Sequence, residues 1–390
     1  MKTRFGFPVS VLLFVWAASL QAQSDLALLG NLPDAVRETS GLLVDGPYLV
    51  THNDSGNDPV LYYLDTVNLE IQREVRVEGA VNKDWEDLAA DADFVYIGDF
   101  GNTRGNRTDL VIYRIARGDL AAGDVVTAEP IFFSYEDQAD FSGTTNSDWD
   151  AEAMVVRGDS LFIFTKQWQS NGTVAYRIPT TPGTHSALRV AAFDAGGLVT
   201  GATSGPDGGI FLLGYTAVLQ PFLVTVPQAT GSFEFPAATQ RQLLNIGFGQ
   251  AEGITADGTG RFFISTEAFA NALASLPAAV YTFRMDPAEP ETPGEPPGEG
   301  GGDPEPEPPG RPGGLVIYRP EGSTSLYYEF DNPGPVLARA VYDTAGRRVL
   351  FQNAPEIEPG RLEIGSLKTS VYYLTLYFRG TVVSEPFIRY

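Results

Sequence analysis

Short apolar runs alternate with Gly, Pro, Asn, Asp and Ser clusters along most of the chain, and no long helical periodicity interrupts them. Period-two alternation bounded by turn residues predicts many short strands. Five segments repeat a turn–strand–turn–strand pattern: 38–43 (ETSGLL), 84–89 (DWEDLA), 150–155 (DAEAMV), 199–204 (VTGATS) and 250–255 (QAEGIT). Each is followed by a second strand, at 48–52, 94–98, 160–165, 209–214 and 261–266, and by a third at 60–64, 110–115, 174–178, 222–226 and 280–283. The third residues of the five motifs, 40, 86, 152, 201 and 252, are spaced by 46, 66, 49 and 51. Four-stranded propeller blades recur at roughly 40–50 residues. The pattern therefore predicts an all-β, five-bladed β-propeller over 24–284, with six blades as the alternative if the weaker fourth-strand regions hide another. The long interval is assigned to a polar insertion near 137–147, and the strand at 26–32 is expected to complete the last blade and close the ring.

From 285 to 314 the sequence is dominated by Pro, Glu and Gly and has almost no apolar side chains. Such a segment cannot bury a core and reads as a disordered, extended acidic linker. Beyond it, over 315–390, seven more short strands are predicted at 315–318, 326–330, 337–342, 347–351, 361–364, 371–378 and 384–390, with a hairpin turn at Asp343-Thr344-Ala345-Gly346. Seven strands in so short a span predict a small Ig-like β-sandwich. At the other end, Lys2 and Arg4 precede an apolar run over 5–20 and then Ala22, the pattern of a signal peptide over 1–22.

Composition changes the picture in two ways. The 390 residues hold 26 Lys+Arg against 49 Asp+Glu, a formal charge of -23, which argues against nucleic acid and anionic membrane surfaces as partners. There is no cysteine, which removes disulfides and thiolate metal sites. No later stretch reads as a membrane span, so an integral membrane protein is not expected.

The chemistry then rests on carboxylates. First strands of propeller blades line the central channel, so Glu38, Asp84, Glu86, Asp150, Glu152 and Glu252 are expected to converge, with Val199 and Gly201 as the non-acidic equivalents of blade four. The second strands end in His52-Asn53-Asp54, Asp99, Lys166, Tyr215 and Glu267, on the same face. Carboxylates gathered with few cations must be protonated, separated by water or bound to a cation, and hard oxygen ligands favour Ca²⁺ or Mg²⁺. A zinc site would need carboxylates or both histidines, His52 and His185. Against these readings stands an architectural one, in which the recurrent Glu residues accept backbone N–H bonds within each blade. His52 reads first as a structural residue or a ligand, and only second as a base. Trp85 and Trp149 read first as core and second as sugar-stacking platforms. The run 53–58 has the composition of a Ca²⁺ loop but no Glu at the twelfth position, and reads as a turn.

Two resemblances follow from particular residues. Val341–Val349 with Gly346, then 362–367, then Val371-Tyr372-Tyr373-Leu374-Thr375-Leu376 and the basic-aromatic end at Arg389-Tyr390 resemble the C-terminal sorting domain of the type IX secretion system of Bacteroidota. Ser370 stands where that family usually has Gly before the Val-Tyr pair. The resemblance implies an export address, normally cleaved, recognised by the type IX machinery, with Gly346, Val371, Tyr372, Leu374 and Leu376 as its motif. It implies a secreted or outer-membrane-surface protein reached through the periplasm. Thr51–Gly56, Asp84-Trp85-Glu86-Asp87, 96–102 and Ala251-Glu252-Gly253 resemble secreted bacterial propellers of the SdiA-regulated and esterase-like-phytase groups, which have few assigned activities.

Three functions compete on this reading. The first is a propeller binding a small molecule, glycan or protein at its channel mouth with a divalent cation. The second is a phosphoesterase-like hydrolase using a metal-bound water at the same acidic ring. The third is a protein-binding scaffold.

Overall fold

The computed structural model describes residues 24–227, 233–247, 249–270, 275–285 and, within the C-terminal part, 315–320, 324–329, 336, 338–343, 348–353, 360–365, 367–378 and 381–389. The expectations for the signal peptide over 1–22, for the linker from 286 to 314, and for Gly346 and Tyr390 fall outside these residues.

The architecture is an all-β propeller. Five four-stranded antiparallel meanders are present among the described residues. Blade one comprises Thr39–Asp45, Tyr48–Asn53, Val60–Asp65 and Ile71–Glu78. Blade two comprises Trp85–Ala90, Phe94–Asp99, Leu110–Ala116 and Glu129–Tyr135. Blade three comprises Asp150–Arg157, Ser160–Lys166, Thr173–Pro179 and Gly183–Phe193. Blade four comprises Leu198–Ser204, Ile210–Tyr215, Pro221–Val226 and Gln240–Leu243. Blade five comprises Ala251–Ala256, Arg261–Thr266, Ala279–Arg284 and, as its outer strand, the N-terminal Ser24–Asn31. That last pairing closes the ring with strands from both ends of the propeller sequence.

Burial follows position in the blade. The first strand of each blade packs against the first strands of the blades on either side, in a closed circuit from blade one through blade five and back. Such strands are covered on both faces and read as continuous runs of small and apolar residues. Outer strands keep one wet face, and Ile71–Glu78 alternates accordingly, with Val75 and Val77 buried between exposed Glu74, Arg76 and Glu78. The core lies between neighbouring blades. Leu61, Val75, Trp85 and Ile97 fill one such layer, and Ala153, Phe164, Leu212 and Phe222 fill another.

Three features differ from the sequence reading. The long interval in blade two is not filled by 137–147 alone. A short helix, Arg117–Ala122, and the strand Val125–Thr127 intervene, and that strand pairs in parallel with the outer strand of blade one. Blades two and three also join at their rims, where Glu129–Tyr135 pairs in parallel with Gly183–Phe193. Met285, read as the first linker residue, packs into the core with Phe262 and Phe283 because its N–H donates to the Gly260 carbonyl at 3.0 Å.

The C-terminal strands form two further sheets, Val316–Tyr318 with Ser325–Glu329 and Arg361–Glu363, and Arg348–Asn353 with Ala338–Asp343, Ser370–Phe378 and Thr381–Arg389. Their shared core holds Leu326, Tyr328, Val341, Leu362, Leu374 and Leu376. Among the described residues, no helix is long and apolar enough to cross a membrane.

Candidate functional site

One irregularity recurs in all five blades. The pairing of first and second strands slips between Trp85 and Asp87, Ala151 and Ala153, Val199 and Gly201, and Ala251 and Gly253, and between Thr39 and Leu42 in blade one. Such bulges re-aim side chains and mark functional rims. The residues set into the slips are Glu86, Glu152, Thr200 and Glu252, with Ser40-Gly41 in blade one. The blade-four equivalent is therefore Thr200, and the assignment to Gly201 was off by one. Where the Glu is replaced, a hydroxyl bridges blades instead. Ser40 Oγ donates to the Glu86 carbonyl at 2.7 Å, and Thr200 Oγ1 to the Ala251 carbonyl at 2.5 Å.

Two further positions per blade surround each bulge. The chain enters the first strand at Glu38, Asp84, Asp150, Leu198 and Gln250, and leaves the second at Asp54, Gly101, Lys166, Tyr215 and Glu267. Hydrogen bonding fixes this correspondence. The N–H groups of Asp54, Gly101 and Glu267 donate to the carbonyls of Glu38, Asp84 and Gln250 at 2.8, 3.2 and 3.0 Å, while Asp150 pairs with Lys166 and Leu198 with Tyr215. In blade two the position belongs to Gly101, not to Asp99, because Phe100 turns into the core as an additional residue.

That glycine is needed for space. A Cβ on Gly101 would lie 2.1 Å from Glu86 Oε1 and 2.5 Å from Asp84 Oδ2. Asp54, Asp84 and Glu86 each present a carboxylate oxygen within 4.8 Å of the others, Asp84 and Glu86 lying against this bare backbone. Burial and the neighbouring carboxylates raise all three titrations. Asp84 is pushed up to about 7, first by burial and then by Asp54 and Asp150. Glu86 rises well above its ordinary range through burial and Glu152. Asp54 rises through burial, against the pull of the Ser55 N–H and Lys166. On the blade-five side, Glu252 is pushed up to about 7 and Glu267 to about 9, both chiefly by burial. Glu252 Oε2 is buried without a hydrogen-bond partner.

The remaining carboxylates are engaged. Glu152 pairs with Lys166 at 3.1 Å, both side chains at most 7 % exposed, and the ammonium lies 4.8 Å from the Trp168 ring centre. Asp150 accepts from the Asn102 N–H at 2.5 Å and from Trp168 Nε1 at 2.7 Å. Asp99 is bound through Oδ1 by Arg107 at 2.9 Å and by the Asp84 N–H at 3.1 Å, while its Oδ2 is buried without a hydrogen-bond partner. Glu38 is exposed, with Asn57 Nδ2 donating to it at 2.8 Å. His52 is fully buried, edge-on to Trp85 at 5.5 Å, with Nδ1 3.0 Å from the Asn53 carbonyl. Burial lowers it to about 4, so the ring is neutral at pH 7 and Nε2 has no partner.

The architectural role expected of the recurrent Glu residues is carried by other side chains. Asp87, fully buried, accepts from the N–H groups of Leu88, Met154 and Ala202 at 2.8, 2.7 and 3.3 Å and so ties blades two, three and four at the axis. Lys166 lies on the face where the strand ends placed it, whereas Asp87 and Arg107 are the neighbours to which motif reading gave no role. Asp87 had a signal, an acid inside an otherwise apolar inner strand. Arg107 had none, because its partner Asp99 is met only through the loop that returns from 102. Of the C-terminal motif residues, Tyr372, Leu374 and Leu376 lie in the sandwich core, and Val371 is half-buried beside them.

No family model and no curated protein matches the chain. Among solved structures it is similar to the crystal structure of a quinonprotein alcohol dehydrogenase-like protein from Bacteroides thetaiotaomicron, at 9% identity and a TM-score of 0.31, covering 85% of this chain and 70% of that one.

Proposed function

We propose that this chain is an exported propeller whose acidic mouth binds a divalent, oxygen-seeking cation, Ca²⁺ or Mg²⁺, and through it an oxygen-rich ligand. The observation that carries this reading is the convergence of Asp54, Asp84 and Glu86 within 4.8 Å of one another, the last two against the backbone of Gly101. The nearest cations are spent elsewhere, Lys166 on Glu152 and Arg107 on Asp99. Lys166 and Arg107 still pull on Asp54 and Asp84 but pair with neither, and three crowded carboxylates without a direct counter-ion repel unless they hold protons or a cation. Their donor set is entirely hard oxygen, which fits Ca²⁺ or Mg²⁺ and leaves coordination positions for water or ligand. Glu252 and Glu267 place two further carboxyl groups at the same mouth, and burial raises both, so they release protons only as the mouth gains positive charge or the pH rises.

Calorimetric titration of CaCl₂ and MgCl₂ into EDTA-treated protein tests this. Saturable binding that disappears in the Asp84→Asn, Glu86→Gln double variant is the expected result, and no heat above dilution for either ion overturns it. Export is proposed from the leader over 1–22 and the sorting-like tail. Mass spectrometry of material secreted by the producing cells is the check, and a mature species still carrying Tyr390 would remove tail cleavage.

A further inference from the structure

A second cleft, which shares no side chain with the Asp54–Asp84–Glu86 cluster, lies where the loop over 136–149 crosses the seam between blades two and three. It encloses about 400 Å³ and is lined by Trp149, Tyr176, Gln167, Thr144 and Arg189, among others. Its walls are tied together by strand pairing and hydrogen bonds. The parallel pairing of Glu129–Tyr135 with Gly183–Phe193 forms the seam, and the Arg189 N–H donates to Glu136 Oε1 at 2.8 Å. The loop is pinned to the turn below it, with the Ser147 N–H donating to the Thr103 carbonyl at 2.8 Å and Gln138 Nε2 to the Gly105 carbonyl at 2.7 Å. Gly105 has φ +67°, and a Cβ there would stand 2.9 Å from Ser147 and 3.3 Å from Trp149, so the loop closes only over a glycine.

The charges in this cleft are balanced within it. Asp148 accepts from the N–H groups of Gln169 and Ser170 at 2.8 and 3.3 Å and from the Ser170 hydroxyl. Asp137 accepts from Tyr176 at 3.0 Å and faces Arg189 at 3.6 Å. Apart from the half-exposed Arg189 guanidinium, whose positive charge is balanced by Asp137, what remains unspent among the described residues is uncharged: the indole Nε1–H of half-buried Trp149, the Gln167 side-chain amide and the Thr144 hydroxyl. Trp149 is held by ring packing against Tyr135 at 5.5 Å, and Tyr135 in turn lies 4.5 Å from Tyr176. A fixed aromatic platform edged by neutral donors and acceptors matches a molecule that has one apolar face and a rim of hydroxyls. The volume falls within the range of small-ligand sites.

We propose that this cleft is a binding site for a neutral saccharide, a mono- or disaccharide unit seated on Trp149 and hydrogen-bonded by Gln167 and Thr144. It is independent of the cation site. The test is titration of the full chain, followed by tryptophan fluorescence and by saturation-transfer NMR, with glucose, galactose, mannose, N-acetylglucosamine, maltose and cellobiose. Glucuronate and glucosamine serve as charged comparisons. A ligand of this size binds with a dissociation constant on the order of 1 mM. Saturable binding of at least one neutral sugar is expected, weakened about tenfold or more by Gln167→Ala and by Trp149→Ala and unchanged by Glu86→Gln. Gln167→Ala removes no core atom and serves if Trp149→Ala fails to fold. No saturation by any neutral sugar, preference for a charged one, or binding indifferent to Gln167→Ala overturns the proposal.

Discussion

At the scale of single residues, three positions carry distinguishable loads. Gly101 keeps the acidic mouth open, because its missing Cβ is the space occupied by Glu86 Oε1. Gly101→Ala forces the two carboxylates aside and overpacks the site, a cost of ~1–3 kcal/mol. Calorimetry on this variant should show Ca²⁺ affinity reduced at least tenfold. Asp87 bears on the fold instead. Asp87→Ala leaves three N–H groups of three blades buried without an acceptor. At ~1–3 kcal/mol for each buried unsatisfied group, with partial relaxation, the loss is about 3 kcal/mol or more in urea unfolding. Lys166 and Glu152 form a buried pair, and removing one partner strands the other. Lys166→Met is expected to cost ~3–5 kcal/mol, and the double change with Glu152→Gln to recover most of it. If the double variant is as unstable as the single one, the pair is not what holds this part of the mouth.

At the scale of elements, the propeller pattern was legible because inner strands repeat a composition set by their double-sided burial, and outer strands alternate. The five motif segments did become the five inner strands. Misassignments arose where the backbone departs from two-residue periodicity. A bulge has no sequence signature of its own, so Thr200 was aligned one residue late. Phe100 inserts before Gly101, so Asp99 ends its strand opposite Trp85 and reaches the mouth only through the Asp84 N–H, while Gly101 takes the place opposite Asp84. Val125–Thr127 was missed because a three-residue strand takes its stability from the blade it joins, not from its own pattern. The strand Ser24–Asn31 illustrates the same dependence with a testable consequence. It covers Ala279–Arg284, whose Val280 and Phe283 are buried. A chain beginning after Asn31 would expose that edge to pairing with other copies. Lower melting temperature and concentration-dependent association in light scattering are the expected outcomes. A monomeric product with unchanged melting would show that the ring is held without its outer strand.

At the scale of the whole molecule, the acidic mouth makes stability depend on pH in a direction opposite to that of ordinary surface carboxylates. Asp84 and Glu252 titrate at about 7 and Glu267 at about 9 in the folded, cation-free chain. Unfolded carboxylates titrate near 4. The native state therefore binds more protons than the unfolded state between about pH 4 and pH 9, and stability falls as pH rises through that window. The contribution is complete below the unfolded value and is lost as the folded values are passed. His52 acts with the opposite sign. Its folded value of about 4 contributes stability above its unfolded value, near 6.5, and that contribution is lost as pH falls toward 4. Above about pH 6.5 the carboxylates act alone, with a slope of up to ~1.4 kcal/mol per pH unit for each proton released. In EDTA, urea unfolding should thus report a less stable protein near pH 8.5 than near pH 6.5. A bound Ca²⁺ replaces those protons with fixed positive charge. In saturating CaCl₂ the decline should flatten, and Ca²⁺ affinity should rise with pH over the same interval, with protons released on binding. Stability in EDTA that is constant or increasing from about pH 6.5 to 8.5 would mean that these carboxylates are ionised without a cation, and that the mouth is neutralised by some other means.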